Sequence, residues 1–297
     1  STGAAGISWW FILALLFLIP LGMISAELGC AYPAQGGVYT WVRDAFGERW
    51  ASRVTWCYWI NVGLWLSAIY VNFAAIASQL FGLEQTLGLQ ITIAITLAWL
   101  TAAANIVTLE FGKWIPTVGG VVKIVLFLGI IAGALHYVSL NSMANPLDSA
   151  SLAPRLNETL RYLPVIIYGM LGFELVCASS DEMKDPVRDV PRATLYAGVI
   201  VFVLYVGATL AMLAAIPADE ISLVEGLVDT LRLFFATVPG GELLVLTLGF
   251  GTLFALFSSG VSWALGSNRA AAEAAKEGEL PGWFALESRR AGTPERA

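Results

Sequence analysis

The sequence predicts an all-α integral membrane protein of seven transmembrane helices, with its N-terminus outside and its C-terminus inside. Three observations carry the prediction. Hydrophobic residues make up 58% of the 297 positions and charged residues only 13%, against roughly 45–50% and about 25% in soluble domains. Charges are absent from 54 to 81, 85 to 109, 193 to 218 and 243 to 268, each longer than the ~20 apolar residues that cross a bilayer core. Lys and Arg, finally, crowd into alternate loops. Mean hydropathy is +0.74, which excludes a disordered or collagen-like chain, and three cysteines are too few for a disulfide scaffold. A net charge of -6 argues against nucleic acid as a partner, because phosphate binding needs clustered cations.

The spans run about 5 to 31, 54 to 81, 87 to 108, 114 to 138, 162 to 180, 192 to 216 and 243 to 268, and 269 to 297 reads as a cytoplasmic loop. Apart from Arg192 at the first position of the sixth, only Glu27, Lys123 and Glu174 are charges inside them. One side of the alternating loops collects Arg43, Arg49, Arg53, Lys113, Lys184, Arg188, Arg192, Arg269, Lys276, Arg289, Arg290 and Arg296. The other has Arg155, Arg161 and Arg232, so the basic count is twelve against three. By the positive-inside rule the richer side is cytoplasmic. An external start without Met that enters a span at once, and an end at Gly292-Thr293-Pro294-Glu295-Arg296-Ala297, read as an internal fragment lacking an upstream helix. Cys30, Cys57 and Cys177 fall at cytoplasmic ends or inner halves of spans, as small apolar fillers.

The fifth span carries the strongest chemical signal. Gly169 and Gly172 weaken helix continuity near its midpoint, and the ionisable Glu174 follows within a turn. Unwound backbone at that depth is tolerated where it is buried in protein or lines a wet cavity, and broken helices point half-helix ends at substrates. A second reading makes the glycines a close helix-packing face and Glu174 a protonated or hydrogen-bonded link between helices; a carboxylate there is by default a functional candidate. Tyr168, one turn before Gly172, reads as a substrate-facing aromatic.

Lys123 lies nine residues into the fourth span. Desolvation disfavours its charged form, so it can load and release a proton or hold a cation site with its ammonium; the alternative is snorkelling toward the cytoplasmic interface. Glu27, with the turn at Gly36 and Gly37 entering an amphipathic segment, reads as architecture or gate support. His136, the only histidine, has no neighbours at metal-ligand spacing. Nothing resembles a phosphate-binding loop or a hydrolase elbow, so neither metal nor cofactor is expected.

Ala26-Glu27-Leu28-Gly29, Tyr32-Pro33, Gly36-Gly37-Val38-Tyr39 and Ala45-Phe46-Gly47 resemble the end of the second helix and following loop of the amino acid-polyamine-organocation permeases. Gly172-Phe173-Glu174, with Glu182-Met183-Lys184-Asp185-Pro186 and Pro191-Arg192-Ala193, is similar to that family's sixth helix and next loop. Asn268-Arg269, Gly278-Glu279-Leu280-Pro281 and Gly292-Thr293-Pro294 look like its loop after helix eight. In this order the motifs span the whole chain and lean toward the glutamate/GABA-antiporter-like branch through Gln35 to Trp41.

The resemblance implies helices two to eight of a transporter built on two inverted five-helix repeats, a LeuT-like fold. It implies a small-molecule amino acid substrate held at the unwound segment from Gly169 to Phe173 and covered by Tyr168. Glu174 would then be a coupling or gating carboxylate, and Lys123 the fifth-helix lysine that replaces a sodium ion in proton-linked members. The expected activity is secondary transport across the cytoplasmic membrane by alternating access, as proton symport or exchange, with amino acid, protons and lipid bilayer as partners. A polyamine or organocation exchanger of the same fold is one alternative. A seven-helix receptor is another, disfavoured by the lack of extracellular cysteines, and a membrane-embedded enzyme lacks a nucleophile-base set or metal ligands.

Overall fold

The computed structural model describes residues 3–32, 37–107, 114–154, 160, 162–177, 183–218 and 226–286. Its described residues are helical or connecting throughout. The first helix, α1 (Ala5–Ala31), widens to π geometry over Ala14–Leu18. The cause is local: Pro20 cannot donate to the carbonyl four residues back, Leu16, and its ring crowds that carbonyl, so the turn before it opens. A short amphipathic helix, α2 (Val38–Phe46), follows between two glycines of positive φ, Gly37 at +47° and Gly47 at +82°.

Next come α3 (Glu48–Phe81), α4 (Leu87–Val107) and α5 (Trp114–Leu140). At 1.5 Å per residue α3 is about 51 Å long, which exceeds the bilayer core and carries its first charged turns out of it; it begins at Glu48 rather than at the expected 54. Gly82, at φ +64°, ends it as a left-handed cap. Apart from its buried Leu97, Thr101 and Asn105, α4 is largely exposed, with Leu87 and Trp99 both 73% accessible. Along α5, glycines let other elements approach closely. A Cβ at Gly119 would collide with the Ser258 side chain, one at Gly129 with Leu248 and one at Gly133 with Phe235.

The expected fifth span is two short helices, α6 (Leu163–Gly169) and α7 (Glu174–Cys177), separated by four residues. Then come α8 (Pro186–Ala215), α9 (Gly226–Phe235) and α10 (Gly241–Lys276), and a 3₁₀ turn at Gly282–Ala285. Six helices of the described residues are long and apolar enough to cross a membrane: α1, α3, α4, α5, α8 and α10. The 162 to 180 segment is not among them because its helix is interrupted.

Two further departures concern the second half. α9 went unanticipated because ten residues are too few to span, yet its Val228, Leu231 and Phe234 are wholly buried with α5 and α10 residues in the main apolar core. α10 continues through Arg269 to Lys276, where a loop was expected. Five of those eight residues are alanines, the best helix formers, and they bury their methyls against α2, α3 and the 3₁₀ turn.

The helices form two packing groups. α1, α6, α7 and α8 make one, around a core of Leu13, Leu18, Ile166, Met170 and Phe173. α2, α3, α4 and α10 make the other, and α5 packs on both α8 and α10. The interrupted helix therefore lies at a seam.

Candidate functional site

At the break the chain leaves helical geometry after Gly169, and Gly172 takes φ +117°, a conformation L side chains rarely adopt. A Cβ there would point at the Trp263 ring of α10, with Cζ2 at 3.4 Å. Trp65 of α3 completes an aromatic wall, its ring centroid 5.3 Å from Trp263 and 6.4 Å from Tyr168. Asn61, four residues before Trp65 and hence on the same face of α3, interacts electrostatically with the Tyr168 hydroxyl.

Glu174 closes the far side of the break. Its Oε2 accepts the Gly172 backbone N–H at 3.1 Å, and its Oε1 accepts the Tyr58 hydroxyl of α3 at 3.3 Å. The first bond satisfies a donor that the interrupted ladder leaves open. The second crosses the seam, since α7 and α3 belong to different packing groups. Tyr58 in turn lies 6.5 Å, centroid to centroid, from Trp263.

The sequence candidates separate when placed in this geometry. Tyr168, Gly172 and Glu174 come together at the aromatic wall. Gly169 is the last residue of α6, and its absent Cβ faces Tyr205 and Trp10 at 3.5 and 3.7 Å, which is helix packing. Phe173 is 7% exposed in the apolar core with Leu13 and Met170, so residue 173 meets the break through its backbone.

Lys123 is half-buried on α5. It shares a helical row with Phe127, whose ring is 5.1 Å from Tyr205, and Ile131, which packs on Gly207. That row faces α8, on which Tyr205 meets Gly169 and Gly198 meets Phe173. The lysine has no ion-pair partner among the described residues. Glu27 is exposed on the last turns of α1. Gly37 starts α2, and Gly36 lies outside the described residues. No group of three or more His, Cys, Asp or Glu among the described residues could hold a metal.

The sequence reading missed Tyr58, Asn61, Trp65 and Trp263. The signal was present in α3, where 58, 61 and 65 recur at helical spacing. Two grooves lie elsewhere. One of about 460 Å³ between α1 and α8 is apolar and touches the break only through Phe173. The other, about 420 Å³ between α3, α4 and α10, contains the Tyr70–Thr101 hydroxyl pair.

A bundle of apolar helices, six of them among the described residues long enough to cross a bilayer and one more interrupted midway, defines the class of multi-pass membrane proteins. A family profile described as amino acid permease matches residues 1–297, and the chain belongs to that family. It is 30% identical over 96% of its length to the probable agmatine/putrescine antiporter AguD of Lactococcus lactis subsp. lactis, of which it covers 61%. It is 26% identical over 99% of its length to the polyamine transporter PUT1 of Oryza sativa subsp. japonica, covering 54% of that protein. To the glutamate/gamma-aminobutyrate antiporter of Lactococcus lactis subsp. cremoris it is 24% identical over 90% of its length, covering 55% of the relative. The chain thus spans less than two thirds of these relatives.

Proposed function

We propose that this chain forms part of a secondary active transporter that moves amino acids across the cytoplasmic membrane by alternating access, as a proton symporter or an exchanger. The observation that carries the reading is the break at Gly172, set on the seam between two packing groups and bridged by the Glu174–Tyr58 hydrogen bond. Movement of one group against the other makes and breaks that bridge, which opens the break to one side at a time. In this reading the interrupted helix is a seventh crossing, the N-terminus is outside and the C-terminus inside. Tyr168 covers the substrate, and the backbone from Gly169 to Phe173 receives it at a positive half-helix end. Glu174 gates, and Lys123 takes up and releases the coupling proton.

A specific observation favours a second substrate class. Trp65, Trp263 and Tyr168 cluster, and Tyr58 joins Trp263 to the Glu174 carboxylate; aromatic rings together with a carboxylate attract an organic cation. The names of AguD and PUT1 point the same way. Reconstitution of the full-length protein into vesicles, with radiolabelled amino acids and with putrescine and agmatine, tests both. Uptake of an amino acid under a proton gradient or against an internal amino acid supports the first reading. Uptake confined to amines supports the second, and no uptake of either class under any gradient would sink the transport assignment.

A further inference from the structure

At the cytoplasmic end of α10, away from the break, one carboxylate serves two donors from α2. Glu277, the residue that caps α10, accepts the Tyr39 hydroxyl at Oε2, 3.4 Å away, and the Arg43 guanidinium at Oε1 in a short contact. Tyr39 and Arg43 are four residues apart, so they project from one face of α2. Arg43 also pairs with Asp44 at 2.9 Å and lies over the Tyr39 ring, 5.7 Å from its centroid.

Apolar packing supports the polar contact. Tyr39 is fully buried against Ala51 of α3 and Ala274 of α10, with Val42 and Leu280 around them. One turn on, Phe284 is fully buried against Ala271 and Ala275, while the Trp59 indole donates to Asn268 Oδ1 at 3.1 Å. Burial first, and then the neighbouring Glu277 charge, push the Tyr39 phenol up to about 12. It therefore remains a donor throughout the physiological range. The hydrogen bonds to Glu277 and Asp44 hold the Arg43 guanidinium above its ordinary value, so it remains a cation.

Position gives the contact its consequence. α2 is bounded by glycines of positive φ at both ends, Gly37 and Gly47, and Gly278 at φ +85° follows Glu277 directly. Glu277 is also fourteen residues beyond Trp263 on the same helix, about 21 Å along the axis. We propose that Glu277 is a clasp that locks α2 to the inner end of α10 and so restrains the helix that supplies the Trp263 wall of the site. The clasp itself stands on its own geometry. Only its effect on the site rests on the transport reading.

Hydrogen–deuterium exchange of the full-length protein in detergent, read at the amides of residues 38–46, tests the clasp without any substrate. Glu277→Lys is expected to speed exchange there by up to about fivefold, the range of a partly exposed ion pair, with Glu277→Gln intermediate and α4 unchanged. The swap Arg43→Glu with Glu277→Arg is expected to restore protection. Wild-type protection in Glu277→Lys, or a swap no better than that single variant, would overturn the clasp. Substrate exchange by the same variants in vesicles tests the effect on the site. A changed rate that the swap restores supports it; an unchanged rate in a variant whose α2 is loosened overturns that half alone.

Discussion

Gly172 and Gly169 are three residues apart, yet their environments make opposite demands. A side chain at Gly172 must adopt φ +117° and press on the Trp263 ring, whereas one at Gly169 enters ordinary contact with Tyr205 and Trp10. In the full-length protein Gly172→Val should therefore abolish substrate binding while membrane insertion persists, and Gly169→Ala should bind as wild type and melt within about 0.5 kcal/mol of it. Equilibrium binding and thermal melting of the two purified variants measure the contrast. Normal binding by Gly172→Val would return that glycine to helix packing. Lys123→Met keeps the apolar length and removes the charge, so proton-driven uptake should fail in protein that still folds; uptake with unchanged pH dependence would leave the lysine a snorkelling residue. The break was legible in the sequence because two glycines and a carboxylate inside an apolar run conflict with an uninterrupted helix. Its aromatic wall was not. Tryptophans are also the residues of interfacial belts, and only the packing of α3 on α10 separates Trp65 and Trp263 from that pool.

Helices here are fitted to one another by small residues, and the motif Ala26-Glu27-Leu28-Gly29 acquires a physical reason. A Cβ at Gly29 would lie 2.7 Å from Cys177 Sγ and 2.9 Å from Val190 Cγ1, so α1 can touch α7 and α8 only if residue 29 has no side chain. Gly29→Leu should destabilise the protein by at least about 1–3 kcal/mol, the typical cost of overpacking, and lower its melting temperature in detergent. Gly47→Ala, where a Cβ meets nothing within 4 Å, is strained only through its φ of +82° and serves as the comparison. Element ends were the least legible part of the sequence. Charge at Arg269, Glu273 and Lys276 read as the start of a loop, but the alanines between them extend α10 to a contact with α2 that no local pattern announces.

Across the whole molecule, apolar length was read with most success, because it is set by the surrounding lipid rather than by particular partners: six of the expected spans are helices long and apolar enough to cross a membrane. The twelve basic residues of one side predict that position 184 is cytoplasmic and position 219 external. Cysteine labelling in intact cells with a membrane-impermeant reagent should reach 219 and not 184, and labelling of 184 from outside would overturn the arrangement.

The hydrogen bond from Gly172 N–H to Glu174 Oε2 has a thermodynamic side. The protein carries its own competitor: a carboxylate tethered two residues from the donor it occupies behaves as a ligand at roughly millimolar concentration, undiluted by the medium. A solute carboxylate that takes this N–H is always weighed against that resident, and its apparent affinity is reduced accordingly. Glu174→Gln keeps an oxygen in place and leaves the competition standing, while Glu174→Ala evicts it. Titration calorimetry should then record tighter binding of a carboxylate-bearing substrate to Glu174→Ala than to Glu174→Gln, with turnover slowed because nothing remains to displace the substrate again.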